Sequence, residues 1–317
     1  MKTELQTSSQ HNMEAPTPRR NNFTIFLGAF KPFFTNAKSA TGFTIFLIFL
    51  FIAIFAPLIA PYEPSAAIYL PNLSPTADHW FGTTNTGQDI YSQFIFSARN
   101  TMIVGFGAGI LSTIIGLIFG VVGGYRGGLT DSILSFVTNL FLVMPGLALL
   151  IVIQAYMTAS TPFVTGLIIA LTGWAWGARV FRSQTMTLAN RDFISAARMS
   201  GMSSFRIMLT QICPNMMSII AGNIMFATLG AILAEAGLAF LGFQDINSIS
   251  WGTMLYWASN NAALIRGAWW WFIPPGLGIG LVGLSLVLMN FAVDQITNPR
   301  LKGQKRRKKH GRKTARA

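Results

Sequence analysis

The chain has 317 residues, 52% of them hydrophobic and 10% charged, with a mean hydropathy of +0.49. Soluble domains carry about 25% charged residues, so this composition excludes an ordinary soluble protein and points to one embedded in lipid. Of 23 basic residues ten lie between Arg300 and Arg316, and the single cysteine, Cys213, excludes an intrachain disulfide framework and any multi-cysteine metal site.

Residues 1–41 are polar, and composition predicts disorder in the first twenty or so. An uncharged apolar run follows over 42–60. A cleavable signal peptide would place a core of about 7–15 apolar residues near the start of the chain. This run begins too late for that and is long enough to cross about 30 Å of hydrocarbon, so it reads as a first transmembrane helix. Five further spans are predicted at 101–122, 132–156, 163–181, 216–240 and 272–293. Pro145 interrupts the third, which neighbouring helices can tolerate, and Glu235 lies in the fifth.

Six spans put both termini on one side, and loop charge sets which side. With the termini inside, 21 of the 23 basic residues are cytoplasmic, and only Arg99 and Arg266 remain outside. Glu63, Asp78, Asp89 and Asp245 are then external, which is the positive-inside pattern. The expected layout has an N-terminal cytoplasmic segment over 1–41, a proline-rich outer loop over 61–100 and a core over 101–299. A long inner loop over 182–215 interrupts that core, and a basic tail over 300–317 ends the chain. The outer segment 241–271 carries Trp251, Trp257, Trp269, Trp270 and Trp271. Tryptophan belongs at a membrane interface by default, and a place in the outer mouth of a pathway is the alternative.

No catalytic constellation is evident. His11, His79 and His310 are far apart, and neither an H-E-x-x-H pair nor a G-x-x-x-x-G-K-[ST] loop occurs. Glu235 is the one charged residue well inside a predicted span. A proton relay needs a chain of such groups, so Glu235 reads either as a structural group or as part of a path lining. Gly105, Gly109, Gly116, Gly120, Gly124, Gly276 and Gly280 recur at helix-packing spacing, which suits close approach of helix backbones.

The inner loop is the most informative segment. Asp192 can cap a short helix that Gly201 stops, with Phe193, Ala196, Ala197 and Ser200 on one face. Ser203 or Ser204 can cap a second helix with Phe205, Met208, Leu209 and Ile212 on a face, and Pro214 closes the segment. Two such helices could lie on the membrane surface or insert a small face into a groove on a soluble partner.

Ser195-Ala196-Ala197-x3-Gly201, with Arg198 inside it and Pro214 thirteen residues on, resembles the EAA loop of ATP-binding-cassette importer permeases. It departs at Ser195, where glutamate is usual, and at Gln211 and Cys213. The resemblance narrows to the dipeptide/oligopeptide group, and within it to the C-type subunit, on further matches. These are His79-Trp80-Phe81-Gly82-Thr83-Thr84, Gly87-Gln88-Asp89, Ser97-Ala98-Arg99, Gly123-Gly124-Tyr125-Arg126-Gly127-Gly128, Ala234-Glu235-Ala236, Ser250-Trp251-Gly252 and Asn298-Pro299-Arg300-Leu301.

The resemblance implies an all-α integral membrane protein with six transmembrane helices, the type I importer permease architecture, and a cytoplasmic coupling-helix loop. It implies a homologous second permease subunit, two ATPase subunits that hold the ATP and Mg, and an extracytoplasmic solute-binding protein. This chain would then bind no cofactor or metal itself. Asp192, Ser195, Ala196, Ala197, Arg198, Gly201 and Pro214 would form the ATPase-coupling loop, and Glu235 and Trp251 would lie near the outer gate. Peptides are the favoured cargo, with oligosaccharides, nickel or other small solutes as alternatives. An ATP-independent porter using Glu235 is the reading from a different class. The basic tail is expected to touch anionic lipid, at about 1 kcal/mol per basic residue, with no specific nucleic acid partner.

Overall fold

A computed structural model describes residues 34, 36–157 and 161–297, with side chains through residue 292. The polar start, His11, His310, the Asn298–Leu301 motif and the basic tail lie outside the described residues. Helix α1, Ala37–Ile54, starts before the apolar run, with the Lys38 ammonium 5.3 Å from the centre of the Phe291 ring. It breaks at Phe55, and Pro57 sits in the first turn of a one-turn helix, Ala56–Ile59, where a missing N–H costs nothing.

Helix α2, Ile90–Arg126, has 37 residues and so runs about 55 Å, well beyond the hydrocarbon thickness. Its first eleven residues correct the expectation of an outer loop reaching residue 100. The helix starts early because the Asp89 carboxylate accepts the Ser92 N–H at 2.7 Å and supplies the cap. The third predicted span is two helices, α3 (Gly128–Val143) and α4 (Gly146–Ala155), bent by 85° beside Pro145. The fourth is α5 (Pro162–Gly173) and α6 (Ala175–Ala189), bent by 41° at Trp174. The inner loop therefore begins as helix, not at residue 182.

After the loop come α9 (Met217–Phe240), α10 (Trp251–Asn260) and α11 (Trp269–Thr297); α7 and α8, within the loop, are described below. Among the described residues four helices are long and apolar enough to span a membrane, and the number is six if each bent pair is one span. The fold is thus the expected all-helical bundle, with no strand among the described residues.

Helix α2 is the axis of the bundle. A methyl added at Gly109 would sit 2.6 Å from the Thr228 backbone nitrogen on α9, and one at Gly120 2.6 Å from the Ala178 carbonyl oxygen on α6. Neither position accepts a side chain, so these glycines set how closely three helices pack. The expected stripe stops there, because the corresponding space at Gly276 and Gly280 is open. Helix α1 lies along α11, where Gly42 meets the backbone around Ser285.

Candidate functional site

The loop after α6 folds into α7, Asp192–Met199, and α8, Ser204–Ile207. Arg191, in extended conformation, occupies the N-cap, and no side chain caps the helix. Asp192 is therefore the first helical residue instead of the cap, where its charge still complements the helix dipole. At the other end Gly201 adopts φ +75°. Its N–H donates to Arg198 O at 3.0 Å, and Met202 N–H donates to Ala197 O at 3.2 Å. That double bond pattern ends α7 firmly and turns the chain.

The faces of the loop differ from those expected. Ile194 is wholly buried, against Val121, Phe181, Ile207, Met208, Ile212 and Met216, and Ala197 packs beside it. Phe193, Ser195, Ala196, Met199 and Ser200 are exposed. On the second helix Met208 and Ile212 are buried with Ile207, whereas Phe205 and Leu209 face outward. A π-helical turn over Met208–Ile212 follows, closed by the Cys213 N–H bonding back to Met208 O. Pro214 has no N–H to continue the ordinary ladder, and the Asn215 side-chain Nδ2–H donates to Gln211 O at 2.6 Å. Cys213 is half-buried, and burial pushes its thiol pKa up.

Two polar links join this end of the molecule. The Arg198 guanidinium lies 4.9 Å from the Tyr125 ring centre, and its Nε–H donates to the Tyr125 hydroxyl at 3.2 Å. Arg182 on α6 grips Asp131 on α3 with two bonds of 2.5 and 2.6 Å. Both partners of that pair fall one residue outside the predicted spans, so a search for charges inside spans misses them. Opposite charges at adjoining span ends were the available signal.

Between α2, α4, α5, α6 and α9 lies a cleft of ≈ 550 Å³ lined by Ser112, Thr172, Trp176, Asn223 and Phe226 among others. No ionisable side chain lines it. Asn223 donates to Thr113 at 2.9 Å, and Trp176 and Phe226 are substantially exposed. Glu235 on α9 is wholly buried and is absent from that lining. Neither of its carboxyl oxygens makes a well-formed hydrogen bond, although the Ser250 and Gln244 side chains face it. Trp251 is also wholly buried, stacked on Phe94 and edge-on to Phe49, with its N–H donating to Phe94 O at 3.2 Å. The structure thus brings Ala197 and Arg198 together with the apolar cluster, and sets Glu235 and Trp251 in the interior at the far end.

At that far end, residues 61–89 fold back on the bundle. The His79 ring meets Asp89 Oδ1 at 2.9 Å between the rings of Tyr62 and Tyr69, while the other Asp89 oxygen caps α2. Both members are buried, and the pair braces the loop. A second cleft, ≈ 290 Å³, opens between this loop and α10, with Asn85, Gln88, Asn247, Trp257 and Trp271 in its walls. Of the five tryptophans only Trp257 and Trp269 are clearly exposed. Among the described residues no group of His, Cys, Asp and Glu could hold a metal ion.

An all-helical bundle of four to six spans, with a buried-anchor helix–turn–helix between two of them, defines a multi-pass membrane protein. Residues 112–303 match the family described as binding-protein-dependent transport system inner membrane component. Residues 25–75 match the N-terminal TM domain of oligopeptide transport permease C. The chain is 30% identical over 301 residues to the dipeptide transport system permease protein DppC of Bacillus subtilis, covering 93% of this chain and 92% of that one. It is 34% identical over 283 residues to DppC of Alkalihalophilus pseudofirmus, covering 86% and 90%. It is 30% identical over 271 residues to the oligopeptide transport system permease protein OppC of Bacillus subtilis, covering 84% and 88%. The chain belongs to the inner-membrane components of binding-protein-dependent transport systems, and it is a transmembrane permease subunit.

Proposed function

We propose that this permease is one half of an ATP-driven importer of dipeptides and oligopeptides, paired with a homologous second permease. Two ATPase subunits, which hold the ATP and Mg, dock one on α7 and one on its counterpart in the second permease, and a solute-binding protein delivers cargo to the opposite face. The chain sits in the cell membrane with both termini cytoplasmic, as the inside bias of its basic residues favours.

The observation that carries the coupling role is the build of α7. One face is pinned by Ile194, and the other offers Phe193, Ala196 and Met199 to a partner, the last 83% exposed. Asp192, Ser195, Gly201 and Pro214 act in support: a charge at the helix start, an exposed polar contact, and the two turns that hold α7 proud of the bundle. The names of the relatives favour peptide cargo. The lining of the larger cleft is mostly small and apolar, with Ser112, Thr172 and Asn223 as its polar groups, and it suits solutes of varied side chain because it imposes no charge. Glu235 stands apart from that cleft, which favours ATP over a proton gradient as the energy source. In this reading Glu235 and Trp251 stiffen the outer end beside the gate.

Deleting residues 192–201 tests the proposal. Loss of co-purifying ATPase, with the chain still in the membrane, is the expected result. Normal ATPase recovery and uptake after the deletion would remove α7 from the coupling role.

A further inference from the structure

We propose that Arg198 and Tyr125 form a strut that fixes α7 to the last turn of α2, so that a displacement imposed on α7 reaches α2 instead of being lost at the α6–α7 link. The proposal rests on the reading of α7 as the ATPase-docking helix.

Helix α7 has eight residues and one fully buried side chain, Ile194. Its link to α6 is only Asn190 and Arg191, and its N-terminus lacks a side-chain cap. With one fully buried anchor and only the small Ala197 packed beside it, a short helix can still pivot about that anchor. Arg198 lies four residues after Ile194, one turn along the same side of the helix. Its guanidinium both stacks over Tyr125 and donates to the phenolic oxygen, giving α7 a second fixed point.

The far end of the strut is rigid. Tyr125 packs against the same apolar cluster as Ile194. The turn of α2 that carries it is pressed on α6, where a methyl at Gly124 would lie 2.7 Å from the Arg182 carbonyl oxygen. From Tyr125 the helix runs without a proline to Ile90, and Ala108 and Ser112 on it line the large cleft. One continuous helix therefore connects the strut to the cleft wall.

The protein's own cysteine reports on the strut, because Cys213 packs against the cluster that α7 covers. The test uses the whole importer in native membranes and measures the alkylation rate of Cys213 by N-ethylmaleimide. Arg198→Gln and Tyr125→Leu should each raise that rate about fivefold, the scale of losing a cation–π contact with its hydrogen bond. The double variant should show no further rise, since both changes break one link. Tyr125→Phe keeps the ring in the cluster and should show a smaller rise, and Arg206→Gln none. Uptake of radiolabelled dialanine per ATP hydrolysed should fall in both single variants. Unchanged Cys213 rates, or additive ones, would overturn the strut. Loss of ATPase in Arg198→Gln at an unchanged Cys213 rate would make Arg198 a docking contact and also overturn it. Absence of dialanine uptake in the unaltered importer would contradict the peptide cargo alone, leaving the Cys213 rates to decide the strut.

Discussion

Trp251 shows how a single side chain fixes the outer end of the bundle. It fills the space between α1, α2 and α11, where a methyl at Gly278 would come within 2.8 Å of its ring. Removing a large buried aromatic costs about 3–5 kcal/mol, so Trp251→Ala should lower the detergent melting temperature sharply. An unchanged melt would show that the indole is not part of the packed interior. Asp89 does two tasks at once, capping α2 and holding His79. Asp89→Ala should therefore cost more than the roughly 1 kcal/mol of a lost cap, and should expose residues 61–89 to proteolysis from the outer side. Cys213 supplies a pH signature. Burial raises its thiol pKa, so less thiolate is present at any given pH than for a free cysteine. Its alkylation should thus rise only at higher pH than that of a cysteine placed at exposed Met199, and coincident profiles would place Cys213 in open water.

At the scale of elements, Gly201 decides whether α7 is presented at all. Its φ of +75° is closed to proline, and proline would also remove the N–H that bonds Arg198 O. Gly201→Pro should abolish ATPase recovery, whereas Gly201→Asn, which tolerates that backbone region, should keep most of it. Equal recovery from both would show the turn to be dispensable. Much of this element was legible beforehand: the stop at Gly201, the cap at Ser203 and the close-packing glycines of α2 all follow from residue type and spacing. The buried face of the second helix was not, because Phe205 and Ile207 are both apolar and only the cluster around Ile194 decides which of them turns inward. Nor was the bend at Trp174, which no proline or glycine pair announces as Pro145 does for α3 and α4. The partners of Arg198 and Arg182 lie 73 and 51 residues away in sequence, beyond the reach of any local pattern.

For the whole molecule, the long helix α2 organises everything else: it packs on α1, α6 and α9, receives α7 at one end and carries the braced loop at the other. On the proposed strut, that arrangement would carry a force on a short surface helix to the wall of the large cleft. The charge of the basic tail predicts only general attraction to anionic lipid, so removing residues 303–317 should change uptake less than about twofold at matched expression. Complete loss of uptake would assign the tail a specific partner. The most direct test of the central claim is purification of this chain from its native membrane in mild detergent, with mass spectrometry of what accompanies it. Recovery of a second permease and of ATPase subunits, with uptake that requires ATP, is the expected result. Recovery of the chain alone, still taking up solute in ATP-free vesicles, would contradict the account.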